Sequence, residues 1–192
     1  MLTVASVCRS PFFATPTLVP PHRLTLSPLQ GWTPLMSASS VGAVQVASLL
    51  LQHGADVKLA NSGGRTAGHY ASSKGHAKIV KLLLDAGLPV DAADVTGSTC
   101  LHRAAGAGQV ECIRVLLAHG ASMEARDKNG NTPLLAGASA GMNRACIALA
   151  AAGADLGAKN DDGKTVGDLA PSLTSVLAVA AAGDEAMDSF ER

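Results

Sequence analysis

Aromatic residues are scarce in this 192-residue chain: one Trp, one Tyr and three Phe, at Trp32, Tyr70, Phe12, Phe13 and Phe190. A core centred on bulky rings is therefore excluded, and Leu, Val, Ile and abundant Ala must fill the interior. Side chains that small suit thin elements packed close together. Net charge is lacking too, because 15 Lys plus Arg balance 15 Asp plus Glu. Nothing global favours nucleic acid or an anionic membrane as a partner. The four cysteines, Cys8, Cys100, Cys112 and Cys146, form no CxxC pair. A chain of this length needs no covalent staples, so a reducing compartment is expected. The uncharged, mostly apolar stretch from Ala145 to Ala154 is about half a membrane span. No transmembrane segment is expected.

Glycine is what marks the organisation. Gly31, Gly64, Gly97, Gly130 and Gly163 recur every 33 residues. A second series, Gly42, Gly75, Gly108 and Gly141, keeps the step, as does a third, Gly54, Gly87, Gly120 and Gly153. Thr33, Thr66, Thr99, Thr132 and Thr165 repeat in phase, and Leu-rich runs end at Leu51, Leu84 and Leu117. Each unit has a physical reading. Thr caps a short first helix, with Pro34 or Pro133 suited to its first turn. Ala38, Ala71 and Ala104 keep that helix slim, and the second glycine ends it. A second helix follows, with Ile79, Val80, Leu83 and Leu84 at the spacing of a packed face.

A 33-residue period built this way resembles the ankyrin repeat. That resemblance implies an all-α solenoid of helix-turn-helix units joined by hairpin-like fingers. His69 and His102 fall where the motif carries a histidine that ties neighbouring units by hydrogen bonds, a structural role rather than a catalytic or metal one. Units start at 31, 64, 97, 130 and 163. The fourth is expected to be weaker, with Gly137 inside its first helix and an Ala-rich second helix. The fifth is a short cap: Pro171 interrupts its first helix, and Ser172 is expected to cap a last helix over 173–182. The repeat domain spans 31–182, with a frayed tail at 183–192. Residues 1–30 have two arginines, five prolines and no acidic residue. Three readings stand for them: a disordered arm, an organelle-targeting segment, or an incorrectly chosen chain start.

Catalytic chemistry is not in evidence. Gly163-Lys164-Thr165 looks like the end of a phosphate-binding loop, but Ala158 stands where that loop needs glycine. The chain is read as a non-enzyme, with no catalytic, cofactor-binding or metal-binding residue. What remains is a binding surface. In the ankyrin arrangement the finger tips and the outer side of the first helices line a concave face. The candidates there are Trp32, Arg65, Tyr70, Lys74, Arg103, Lys128, Asn131, Asp161 and Asp162. They describe a groove with a basic middle (Arg65, Lys74, Arg103, Lys128), an acidic end (Asp161, Asp162), and Trp32 and Tyr70 as anchors.

Several phrases are more specific: Gly31-Trp32-Thr33-Pro34-Leu35, His69-Tyr70-Ala71-Ser72-Ser73-Lys74, Leu101-His102-Arg103-Ala104-Ala105, and Asp127-Lys128-Asn129-Gly130-Asn131-Thr132-Pro133-Leu134. In these the chain resembles the gankyrin family, chaperones that assemble the proteasome regulatory particle. The resemblance runs from about residue 31 to 182. It implies a protein partner, the C-terminal helical domain of a proteasomal ATPase subunit, gripped in the concave face. Lys74 and Arg103 would oppose acidic groups of that partner. It also implies a monomer when unbound, in cytoplasm and nucleus; the alternative is an organelle, if residues 1–30 are a transit segment. The family's units preceding the Trp-bearing one have no counterpart here. The animal protein's Leu-x-Cys-x-Glu motif is replaced by Leu135-Ala136-Gly137-Ala138-Ser139.

Overall fold

The computed structural model describes residues 31–182. The expectations for 1–30 and 183–192 lie outside the described residues. The helices pair along the chain: α1 (Pro34–Val41) with α2 (Val44–Gln52), α3 (Ala67–Lys74) with α4 (Ala77–Asp85), α5 (Cys100–Gly106) with α6 (Val110–Ala118), and α7 (Pro133–Ser139) with α8 (Asn143–Ala151). The last unit is α9 (Val166–Leu169), a 3-10 turn (Pro171–Leu173) and α10 (Thr174–Ala182). First helices pack on first helices and second on second, so the chain forms two parallel layers of helices. No unit has a core of its own; the core is what neighbouring units share.

Local chemistry starts each first helix where the threonine series places it. Thr33, Thr66, Thr99, Thr132 and Thr165 are all extended N-caps. The Oγ1 of Thr33 accepts from the Met36 amide at 3.1 Å, and Thr165 and Asp168 form a reciprocal capping box. The expected leucines fill the shared core, with Leu83, Leu116 and Leu149 all fully buried. Cys100 stands at the helix-starting position where Pro34 and Pro133 stand in their units and is buried in the core, while Cys112 and Cys146 occupy core positions of α6 and α8.

Three details extend or correct the sequence reading. Gly137 stands one 33-residue step after Ala104, in the slot that keeps first helices slim. An added Cβ there would lie 3.2 Å from the Cys146 sulfur and 3.5 Å from the Ala105 carbonyl oxygen. The glycine therefore serves close approach of α7 to its neighbours, whatever it costs in helix propensity. Ser172 does not cap the final helix. It lies in the 3-10 turn, and Thr174 Oγ1 donates to the Pro171 carbonyl at 3.1 Å as α10 begins. The fingers are hairpin-like turns, as expected, and not strand pairs. Among the described residues the one bridge joins Ala93 and Thr99, and each finger is closed by a backbone bond such as Asn61 N–H to Arg65 O at 3.0 Å.

The finger tips are cross-linked along the stack. Val95 N–H donates to Gly63 O, Lys128 N–H to Thr96 O, and Asp161 N–H to Asn129 O, at 3.1, 2.9 and 3.1 Å. These bonds need close backbone contact, which explains the first glycine series. Gly97 has φ +76°, and an added Cβ would stand 3.0 Å from the Lys128 nitrogen.

Candidate functional site

One side-chain device shapes every finger. Asn61, Asp94, Asp127 and Asn160 follow the 33-residue step, and each uses Oδ1 to hold the turn that follows. Asn61 accepts from the amides of Gly63 and Arg65, both at 3.0 Å. Asp94 accepts from those of Thr96 (2.8 Å) and Ser98 (3.2 Å), and Asp127 from Asn129 and Asn131, both at 2.9 Å. Asn160 accepts from Lys164 at 2.9 Å. The sequence reading missed this series, although its spacing was there to find.

Asp94 does more than its counterparts. Its side chain is fully buried, and its second oxygen receives both Arg65 Nε at 3.4 Å and Arg103 Nη2. Burial opposes its ionisation, but bonds from Thr96 and Arg103 outweigh that and hold its carboxyl well below the usual range. The basic middle of the groove is thereby changed. Arg65 and Arg103, expected to face a partner, are drawn onto an internal carboxylate, and the three groups together carry a single positive charge. Arg103 is the more committed, with a side chain 27% exposed against 41% for Arg65.

Asn131 is likewise internal in its bonding. Its carbonyl accepts from His102 Nε2 at 2.9 Å, its Oδ1 from Asn160 Nδ2 at 3.1 Å, and its Nδ2 donates to Asp127 at 3.3 Å. Trp32 and Tyr70 lie against each other. Their rings lie 4.3 Å apart, tilted by 57°, with Trp32 Nε1 donating to Ser37 Oγ and Tyr70 Oη accepting from Asn61. Both remain partly exposed. Lys74, one turn beyond Tyr70 on α3, is exposed. Val41, the residue in register with Lys74 one unit earlier, is 79% exposed.

The remaining candidates gather at the other end. Lys128, Asn131, Asp161 and Asp162 line an open polar cleft of about 340 Å³ with Asn160 and Lys164. Among the described residues neither Asp161 nor Asp162 makes an ion pair within 4.0 Å. The candidate residues thus separate into an aromatic–lysine patch on the first two units, a charge-reducing Arg–Asp–Arg knot in the middle, and a mixed-charge cleft between the fingers that lead into the fourth and fifth units.

The two histidines are pinned in one tautomer by their neighbours. His69 Nδ1 accepts the Thr66 amide at 3.1 Å, so its proton sits on Nε2 and points to Ser98 O at 3.1 Å in the next unit. His102 repeats this with Thr99 (3.2 Å) and Asn131 (2.9 Å). Burial lowers both pKa values, and the backbone acceptors only partly oppose it. A depressed folded pKa means the stabilisation is complete above the unfolded value of about 6.5 and is lost as pH falls through the folded values. Asp94, held well below the usual carboxylate range, keeps its charge over that window. We expect the melting temperature to fall between pH 7 and pH 5, and His102→Leu, the side chain that unit four carries at Leu135, to flatten the slope. Thermal melts at half-unit pH steps check this; parallel profiles for both proteins would refute it.

Among the described residues no catalytic constellation emerges. The thiols of Cys100, Cys112 and Cys146 are pushed by burial to about 12, 11 and 11, so they stay neutral and unreactive. Among the described residues no group of three or more His, Cys, Asp or Glu is placed to hold a metal, and no helix is long and apolar enough to cross a membrane. A family model described as ankyrin repeats (3 copies) matches residues 16–94 and 87–160. A search of curated proteins finds no match. The two-layer stack, the capped first helices, the inter-unit histidine ties and this match agree: the chain belongs to the ankyrin-repeat family and is a protein-binding scaffold.

Proposed function

We propose that this scaffold works as an assembly chaperone, holding the C-terminal helical domain of a proteasomal ATPase subunit against its finger tips and first helices. One observation carries the reading: an exposed lysine, Lys74, stands one helical turn from a partly exposed aromatic pair, Trp32 and Tyr70. Such a patch suits a partner that offers an acidic side chain beside apolar surface. At the far end, Asp161 and Asp162 stand among Lys128 and Lys164 and suit a partner surface that carries both charges. A partner helix lying along this face would therefore be acidic at the first units and of mixed charge at the last. The choice of partner rests on the resemblance of the Trp32, Tyr70 and Arg103 phrases to the gankyrin family.

Arg103 is assigned differently. Its bond to Asp94 makes it a support for the second and third units rather than a free contact. Lys74→Glu is expected to weaken partner binding about tenfold or more, equivalent to at least 1.4 kcal/mol, with an unchanged melting temperature. Titration calorimetry against each purified ATPase C-terminal domain reads the effect. Binding to none of them would remove the chaperone reading.

A second reading is an adaptor for another protein target. It is favoured by the internal pairing of Arg65 and Arg103, which reduces the basic middle to a small net charge. Cytoplasm and nucleus are the proposed location. A fluorescent tag at the C-terminus, leaving residues 1–30 intact, separates that from an organellar one.

A further inference from the structure

The residue after each first glycine, an Asn or Asp of the next finger and a residue of the helix beyond it recur together along the stack. These trios are Trp32–Asn61–Tyr70, Arg65–Asp94–Arg103, Ser98–Asp127–Ala136 and Asn131–Asn160–Leu169. Only the second sets two cations around an anion, and it lies one 33-residue step from the aromatic pair. Gly64 lets its fingers close: φ is +70°, and an added Cβ would stand 2.8 Å from the Val95 nitrogen. The two guanidiniums then meet the carboxylate differently. Arg103 is held by Nη2, which donates to Asp94 and Thr96, and its Nε is buried without a partner. Arg65 is held by Nε alone, 3.4 Å from Asp94 Oδ2. Among the described residues its Nη1 and Nη2 have no partner and neither is buried; the side chain is 41% exposed. Those two nitrogens form the end of a planar fork that matches a carboxylate.

We propose that Arg65 receives one carboxylate of the partner on its free Nη1–Nη2 fork, with Asp94 as the residue that positions the fork. The inference rests on the reading that this face holds a partner protein, and not on which protein that is. Charge selects the ligand. Two guanidiniums and one carboxylate leave a single positive charge, which one further carboxylate neutralises. A phosphate monoester, with a charge of about −1.5 to −2, would overshoot and set a second negative charge near Asp94. The neighbours select what flanks the acid. Asn61 accepts the Arg65 amide at 3.0 Å and donates through Nδ2 to Tyr70 Oη at 2.8 Å, which ties the fork to the ring pair. The ligand is therefore an acidic side chain between apolar ones. Lys74, exposed on α3, adds attraction as a point charge but has no planar fork to fix a carboxylate. Arg103, bonded inward, remains a support.

The test titrates the nitrogen-15-labelled full chain with the blocked tripeptide Leu-Glu-Leu and reads the NMR signals of the Arg65 Nε–H and the Trp32 indole. Both should shift with one binding curve. The Leu-Gln-Leu peptide, which lacks the charge, should bind about tenfold more weakly or worse. Arg65→Lys keeps the charge and loses the fork, and should cost about fivefold or more with an unchanged melting temperature. Lys81→Gln, on α4 in the other layer of helices, should cost nothing. The role of Asp94 is read from selectivity. The parent should prefer the glutamate peptide to Leu-phosphoserine-Leu, and Asp94→Asn, which raises the net charge of the trio from one to two, should reverse that order. Arg65→Lys binding as tightly as the parent would overturn the proposal, since charge alone would then suffice. So would a parent that prefers the phosphopeptide, an unchanged preference in Asp94→Asn, or no shift at Arg65. These readouts need no ATPase domain, so failure of the chaperone reading in calorimetry leaves them standing, and the reverse.

Discussion

Leu116→Ala is expected to lower the unfolding free energy by about 2–5 kcal/mol, the range for a large buried side chain cut to a methyl. Leu116 is fully buried on α6, in the central unit of the stack, with α4 on one side and α8 on the other. Its surroundings make collapse difficult. Much of the shared core is alanine, including Ala104, Ala105, Ala145 and Ala150, and alanine has no rotamer that can swing into a void. The cavity therefore remains, and the cost belongs in the upper part of the range. Because each unit is stable only against its neighbours, the loss spreads along the stack instead of melting one unit. Leu83→Ala, in the same register on α4, should behave alike. Leu50→Ala should cost less, since Leu50 is only half-buried in the first described unit. Denaturant unfolding checks the order, and a midpoint for Leu116→Ala equal to the parent's would refute the argument.

Asp94→Ala is expected to cost about 3–5 kcal/mol, the range for removing one partner of a buried charged pair. Its loss frees the amides of Thr96 and Ser98 and leaves Arg103 beside an empty site. Arg65, being 41% exposed, recovers water and contributes little of the loss. Asp94→Asn separates the two functions of the residue. Asn61 and Asn160 hold their own fingers with an amide oxygen, so asparagine at 94 should keep the turn and lose only the charge pairing. Its expected cost is about 1–2 kcal/mol. Equal destabilisation by both substitutions would show that the turn contributes nothing separate. Because Arg103 would be released by Asp94→Asn, the same variant should strengthen binding of an acidic partner if the groove uses that charge.

Much of the architecture was legible without coordinates. The glycine, threonine and leucine series gave the unit length, the helix starts and the buried leucines, and His69 and His102 bond as their place in the motif implied. The candidate surface was legible only in outline. Trp32 lies against Tyr70, and Lys128, Asn131, Asp161 and Asp162 line one cleft, two features that the register did not mark off from the rest of the groove. The state of the charges was not legible. Arg65 and Arg103 lie 29 and 9 residues from the carboxylate they share, and nothing in their own units marks them as paired.

The division has a physical cause. A repeat is specified by short-range requirements, such as a cap, a slim helix, a left-handed turn or an apolar stripe, and each leaves a residue type at a fixed phase. Those the chain writes out directly, which is why its period alone identifies a stack of protein-binding units. Whether a cation is available to a partner depends instead on what the next unit presents to it. Stacking sets Asp94 beneath two arginines, brings Trp32 against Tyr70, and turns Gly137 from a flaw in a helix into room for its neighbours. Such pairings are long-range and made by side-chain geometry, so only the assembled structure decided them.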